Sequence, residues 1–281
     1  MIIDFHTHIF PKDICENREK HFPGESAFKL LYDSPKSKLV GAKEMVEAMD
    51  AQGIDRSVIF GFPWKNPELS RKQNDYIMES VGMYPDRLIG FCCLDPSGRE
   101  TGRELERCLR GGLSGLGELA FYESGIDPAS LDHLAPLMEI CRDFDVPVLI
   151  HTNEPVGHMY PGKSPNTLMQ IYTLVERFSG NKIVLAHWGG GIFLYSLLKK
   201  EVKESLKNVW YDTAASPLLY DPDIWLYARN LAGLDKILFG TDFPLLKPDR
   251  YFKELENSGL AKEDIHAICG GNAARLLKIG V

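Results

Sequence analysis

The sequence predicts an α/β protein folded as a single (β/α)8 TIM barrel over residues 1–281. Three observations predict it. Eight short apolar runs recur along the chain, longer amphipathic stretches lie between them, and several runs end in side chains able to ligate a metal. The runs are residues 2–5, 57–62, 88–94, 115–121, 146–150, 182–186, 209–212 and 237–240. They are rich in Val, Ile, Leu and Phe and do not alternate cleanly, as expected of strands buried on both faces under a layer of helices. A chain of 281 residues suits a barrel, which takes about 250 residues. An open doubly wound sheet is the alternative. It would carry a Gly-rich turn after its first strand, where this chain has His6-Thr7-His8.

The helices follow in order. Residues 43–52 put Met45, Val46, Ala48 and Met49 at helical spacing and stop at Gly53. Residues 131–144 carry Leu134, Leu137, Met138 and Cys141 on one stripe. Residues 168–178, 192–206, 224–231 and 251–258 continue the alternation, and 264–277 form a last helix. Residues 9–39 read differently, with Pro11, Pro23 and Pro35, scattered charges and weak periodicity. A loop of that length in a compact domain is commonly functional. Following the first strand, it is expected to act as a lid over the barrel mouth. No repeat or Ser/Pro/Gly-rich linker divides the chain.

Composition narrows the partners. Asp and Glu number 39 against 32 Lys and Arg, for a net charge of −7. No basic run is long enough to track a phosphate backbone, so nucleic acid is excluded and a small-molecule substrate is expected. No stretch approaches the roughly 18 apolar residues of a membrane span. The opening Met1-Ile2-Ile3-Asp4 lacks the basic and apolar regions of a secretory signal, and the cysteines show no CxxC spacing. A reducing cytoplasm is the expected setting.

Six residues carry the chemistry. His6 and His8 are two apart at the end of the first run, so both imidazoles project to one side. His151 ends the fifth run, His187 the sixth and Asp242 the eighth, and Glu118 lies within the fourth. Taken singly, each reads more simply as a hydrogen-bonded core histidine, a turn aspartate or half of an ion pair. In a barrel, however, the carboxyl ends of all strands open onto one mouth. Six nitrogen and oxygen donors at a common level point to a metal. Imidazole with carboxylate and no thiolate suits Zn(II), with Mn(II) an alternative. Four donors suffice for one ion; six admit two, bridged by Glu118.

These motifs resemble the amidohydrolase superfamily. Asp4-Phe5-His6-Thr7-His8, Ala186-His187-Trp188-Gly189-Gly190 and Gly240-Thr241-Asp242-Phe243-Pro244 are similar to its amidohydrolase-2 branch, which includes aminocarboxymuconate-semialdehyde decarboxylase. The resemblance implies a metal-dependent enzyme in which His6, His8, His151 and Asp242 hold one ion and His187 orients water or substrate. Glu118 stands where binuclear members bridge two ions, which also resembles TatD-type hydrolases. Two reactions stay open. Metal-activated water could attack an amide, ester or lactone, with Asp242 and His187 catalytic; this is the leading expectation. The alternative is non-oxidative decarboxylation of a small aromatic carboxylic acid. Asn153, His158, Trp188 and Trp64, in loops after the strands, are the candidate substrate contacts. The branch resemblance also implies a homodimer.

Overall fold

The computed structural model describes residues 1–198 and 200–280. Among the described residues there are eight strands: β1 Ile3–His8, β2 Arg56–Phe60, β3 Leu88–Gly90, β4 Leu116–Leu119, β5 Val148–Ile150, β6 Ile183–Leu185, β7 Val209–Asp212 and β8 Ile237–Leu238. Each falls on one of the apolar runs. All pairings are parallel, in the orders β1-β2-β3 and β4-β5-β6-β7-β8. Two isolated bridges close the ring. Gly117 N–H donates to the Cys92 carbonyl at 2.7 Å, and His8 N–H to the Phe243 carbonyl at 2.8 Å. The result is the barrel that the alternation of runs and helices predicts. Among the described residues no helix is long and apolar enough to cross a membrane.

The strands bury both faces. Ile59, Leu116, Val148, Ile183 and Val209 pack outward against helix residues such as Met45, Leu134 and Leu174. Phe5, Val58, Phe60, Phe91, Leu149, Val184 and Leu238 fill the interior, joined by Ala273, Ala274 and Leu276 of the helix Asn272–Leu277. A Cβ on Gly270, just before that helix, would lie 2.2 Å from the Met1 carbonyl oxygen. This helix therefore seals the end of the barrel where the strands begin.

Two register shifts matter more than any helix. In β1, Asp4 pairs with Ser57 and Thr7 with Ile59, so three residues span two. The extra residue breaks the alternation. Phe5 packs into the interior core, yet both following imidazoles also face inward, against Phe60. In β4, Leu116 pairs with Val148 and Leu119 with Ile150, again three against two. Both leucines pack outward and Glu118 turns inward between them. Strict alternation would have aimed these side chains differently.

Several expected elements change. The helix Pro67–Met83 has no counterpart in the apolar pattern. Its inward face is partly polar: Gln73 Nε2 donates to the Ile9 carbonyl at 2.9 Å, and Asn74 Oδ1 accepts from Cys93 N–H at 3.0 Å. The helix Thr101–Arg110 buries only Leu105, Cys108 and Leu109 among its charges. Residues 192–206 are not one helix. Tight turns over His187–Leu197 pass through left-handed Trp188, Gly189, Gly190 and Gly191, and a helix begins again at Lys200; position 199 lies outside the described residues. Residues 264–277 divide into Lys262–His266, Ala267–Gly271 and Asn272–Leu277.

Segment 9–39 is not an irregular loop. It forms the helices Lys12–Glu16 and Ser26–Tyr32 with a short turn at Arg18–His21. Phe10, Ile14 and Phe28 make a satellite core with Phe62 and Trp64 from the loop after β2. The buried Glu25 carboxylate accepts Lys65 N–H at 3.1 Å and Asn66 N–H at 2.8 Å, fastening the segment to that loop. Elements this short show too few turns for a periodic pattern.

Gly117 allows the β4 shift. Its φ is +131°, and a Cβ there would lie 2.3 Å from the Leu149 carbonyl oxygen. Gly117→Ala is expected to destabilise the fold by about 3 kcal/mol or more. That corresponds to a melting midpoint lower by roughly 6–12 °C. A midpoint within about 2 °C of wild type would contradict this account of β4.

Candidate metal centre

At the carboxyl ends of the strands, each imidazole makes one hydrogen bond away from the centre. His6 Nδ1 lies 2.8 Å from Asp212 Oδ2. His8 Nδ1 lies 3.1 Å from the Gly61 carbonyl, His151 Nε2 2.9 Å from the Gly162 carbonyl, and His187 Nδ1 2.9 Å from the Ala214 carbonyl. Carbonyls and carboxylates only accept, so each of these ring nitrogens carries the hydrogen. The other nitrogens then point inward.

They meet two carboxylates. His6 Nε2 is 3.5 Å from Glu118 Oε2 and 3.7 Å from Asp242 Oδ1. His8 Nε2 is 3.3 Å from Asp242 Oδ1 and 3.8 Å from Glu118 Oε2. His151 Nδ1 is 2.9 Å and His187 Nε2 3.6 Å from Glu118 Oε1. Glu118 thus belongs to two triads, with His6 and His8 and with His151 and His187, whose donor atoms lie within 4.8 Å of one another. At 2.9 Å, His151 Nδ1 is within hydrogen-bond distance of Glu118 Oε1 and donates to it when protonated; with every imidazole neutral, the inward nitrogens and the carboxylate oxygens set lone pair against lone pair. Such a cluster is stable only around positive charge, as protons or a metal ion.

The electrostatics agree. Burial alone would lower the His6 pKa, but the Asp212 and Glu118 carboxylates hold it well above the imidazole range. His187 is raised in the same way, against its burial, by Glu118 and Asp242. Burial would raise Glu118, yet the His6 and His151 charges hold it well below its usual range. For Asp242, burial is outweighed by His8 and His6, which bring it to about 2.

The residues present fit a divalent cation. The donors are nitrogen and oxygen, every imidazole is oriented by a hydrogen bond on its far side, and the buried His6 Nε2 has no hydrogen-bond partner. His187 and Asp242 also hold left-handed backbones, with φ of 54° and 64°. Non-glycine residues enter this region at a cost and cluster at functional sites. Asp242 is braced from both sides. Its N–H donates to the His6 carbonyl at 2.9 Å, and the neighbouring Thr241 binds Asp4 through N–H at 3.0 Å and Oγ1 at 2.6 Å.

All six residues expected as metal ligands therefore meet at one place, but the four expected substrate contacts do not. Trp188 is fully buried between Phe193 and Trp225, with Nε1 donating to Ser216 Oγ at 2.8 Å. Trp64 belongs to the core beneath segment 9–39. Asn153 Oδ1 accepts Ser164 N–H and Oγ–H at 2.8 and 2.7 Å, which ties its own loop together. His158 is exposed, its ring 5.9 Å from Tyr160. Aromatic and amide side chains after a strand serve packing and loop closure as readily as binding. The aromatic rings against the cluster are instead Phe60, 5.0 and 4.7 Å from His6 and His8, and Tyr122, 5.4 Å from His151, while Tyr32 packs on Phe10, Phe28 and Phe62 close enough to feel the cluster's charges. Burial and the charges of Glu118 and Asp242 push both phenols up. Asp212, buried beside His6, is a further charged residue at the cluster that the sequence reading does not single out. Its signal was an aspartate closing the seventh apolar run, as Asp242 follows the eighth.

A family model described as amidohydrolase matches residues 3–279. The chain belongs to the amidohydrolase family. Among curated proteins, it is 27% identical over 339 aligned positions to 2-amino-3-carboxymuconate-6-semialdehyde decarboxylase of Dictyostelium discoideum, covering 98% of this chain and 91% of that one. It is 24% identical to gamma-resorcylate decarboxylase of a Polaromonas species, covering 83% of this chain and 86% of that one. Among solved structures, 5-carboxyvanillate decarboxylase from Novosphingobium aromaticivorans, complexed with manganese and 4-hydroxy-3-methoxy-5-nitrobenzoic acid, superposes with a TM-score of 0.79. The identity is 15%, over 99% of this chain and 96% of that one. These relatives place the chain in the amidohydrolase-2 branch, and its curated relatives are enzymes. They also correct the leading expectation of amide, ester or lactone hydrolysis, since the two curated relatives just described are decarboxylases. The ligand motifs alone did not separate the reactions because both use the same donors.

Protons and metal compete for this cluster. The raised His6 and His187 bind protons more tightly folded than unfolded. That contribution is fully present below the unfolded value of about 6.5 and is lost as pH rises through the folded values. Metal displaces the proton of the ligand His6, so the gain in melting midpoint on adding Mn(II) to chelator-treated protein is expected to be larger at about pH 8.5 than at about pH 6. A gain that is equal, or larger at the lower pH, would contradict the assignment.

Proposed function

We propose that this protein is a divalent-metal-dependent, non-oxidative decarboxylase of a small aromatic carboxylic acid. One observation carries the metal site: four imidazoles, each anchored on its far side, turn their remaining nitrogens onto Glu118 and Asp242. Decarboxylation rather than hydrolysis is supported by both curated relatives. His6, His8, His151 and Asp242 would hold the ion, and Glu118 lies within reach of all four imidazoles. Mn(II) is the ion we assign, in place of the Zn(II) that donor types alone favour. The manganese bound to the Novosphingobium protein and the two hard carboxylates support it. A bound divalent ion supplies fixed positive charge that anchors and polarises substrate oxygens.

The chain's own groups then handle the proton. In decarboxylation a ring carbon gains a proton, the bond to the carboxylate carbon breaks, and its electron pair stays with the ring as CO2 leaves. His187 is held by the Ala214 carbonyl so that Nε2 faces the cluster, and is suited to hold and deliver that proton. Asp242, with its side chain 18% exposed, is the carboxylate through which a replacement proton can arrive. Tyr122 and Tyr32 offer flat faces for an aromatic ring. We also propose that residues 1–281 form one catalytic domain, with segment 9–39 as a roof that carries Tyr32 over the site.

Mn(II)-loaded protein is expected to release CO2 from one or more hydroxy- or amino-substituted aromatic acids in a panel that also holds esters and lactones. Hydrolysis of the latter with no CO2 from any acid would overturn the reading. Asp242→Asn is expected to slow that turnover by about 10²-fold or more. The circular dichroism spectrum should be unchanged. Wild-type turnover in this variant would remove Asp242 from the mechanism.

A further inference from the structure

Asp212, at the end of β7, is fully buried, and among the described residues its only ion-pair partner is His6. Its oxygens divide their partners. Oδ2 lies 2.8 Å from His6 Nδ1, while Oδ1 accepts the backbone N–H groups of His187 and Ala214, each at 3.0 Å. Ala214 returns the contact, its carbonyl accepting His187 Nδ1 at 2.9 Å. Gly240 on the neighbouring strand end leaves room for the pair. A Cβ there would lie 2.9 Å from His6 Cβ and 3.6 Å from Asp212 Cβ. One carboxylate therefore touches a candidate metal ligand on β1 and the left-handed backbone of His187 after β6.

We propose that Asp212 is a positioning residue: it fixes the His6 tautomer that presents a bare Nε2 to the metal, and it pins His187 beside it. The inference rests on the metal reading above. Only an acceptor obliges Nδ1 to carry the hydrogen, and among side chains that reach both partners a carboxylate can offer one oxygen to Nδ1 and the other to the two backbone N–H groups. An amide of the same shape would do the opposite. In Asp212→Asn, the two backbone N–H donors now on Oδ1 would hold the carboxamide with its oxygen toward them. Its NH2 would then donate to His6 Nδ1. The ring hydrogen would move to Nε2 and point at the metal position. Shape and backbone bonds would survive, and the ligand would be lost.

The test measures Mn(II) affinity by titration, following free Mn(II) by its electron paramagnetic resonance signal. Wild type is compared with Asp212→Asn, Asp212→Ala and His6→Ala, and metal-free melting midpoints are recorded for all. Asp212→Asn is expected to weaken Mn(II) binding by about 10–100-fold. It should bind no better than Asp212→Ala although it melts closer to wild type. Its loss should also be non-additive with that of His6→Ala, since both act through one ring nitrogen. A purely structural role gives the reverse order, with the amide keeping more affinity than the alanine in step with its higher midpoint. That order, or Asp212→Asn affinity within about 2-fold of wild type, overturns the proposal while leaving the metal site standing. A wild-type chain that takes up no Mn(II) overturns both, and is told apart because the failure then precedes any substitution. If Asp212→Asn does not fold, the additivity of Asp212→Ala with His6→Ala decides, and full additivity overturns the proposal.

Discussion

Lone pairs facing lone pairs are the constraint around which this molecule is arranged. Four imidazoles donate outward, to Asp212 and to the carbonyls of Gly61, Gly162 and Ala214, and so turn their bare nitrogens toward Glu118 and Asp242. A fold that brings six such groups together must hold them against mutual desolvation until positive charge arrives. The barrel does this with parallel strands, two closing bridges and a C-terminal helix that seals the opposite end. The outward hydrogen bonds matter as much as the ligands, since each decides which ring nitrogen is free.

The aim of these side chains comes from departures from regular structure. Extra residues in β1 and β4 turn His6, His8 and Glu118 to the interior. Left-handed backbones at His187 and Asp242 bring the ends of two further strands to the same level. Asp4, Thr241 and Tyr251 brace the second of these, with Tyr251 donating to the Thr241 carbonyl at 3.1 Å. Strain and site coincide, as expected where the surrounding structure dictates a costly conformation. Segment 9–39 is built rather than loose: it shares a small core with Phe62 and Trp64 and is fastened to the loop after β2 through Glu25.

Much of this was legible in the sequence for identifiable reasons. Strands buried on both faces write continuous apolar runs, and a polar residue ending such a run is conspicuous; hence His6, His8, His151, His187 and Asp242. Asp212 carried the same mark, but without an imidazole beside it in sequence it read as a strand end. The register shifts were not legible, because pairing between strands exists only in the fold. The helix Pro67–Met83 escaped because it buries Gln73 and Asn74, which apolar periodicity does not count. Trp64 and Trp188 misled because an aromatic ring after a strand fills a core as readily as it receives a ligand. The reaction could not be read from the donors, because decarboxylation and hydrolysis draw on the same set.

Imidazoles and carboxylates drawn from five strand ends converge on one candidate metal position. X-ray absorption at the manganese edge of the loaded protein reads directly what surrounds an ion there. The expected spectrum shows stoichiometric metal in a shell of nitrogen and oxygen, with the outer-ring scattering of more than one imidazole and no sulfur. Metal that washes away, or a shell of water oxygens without imidazole, would contradict it.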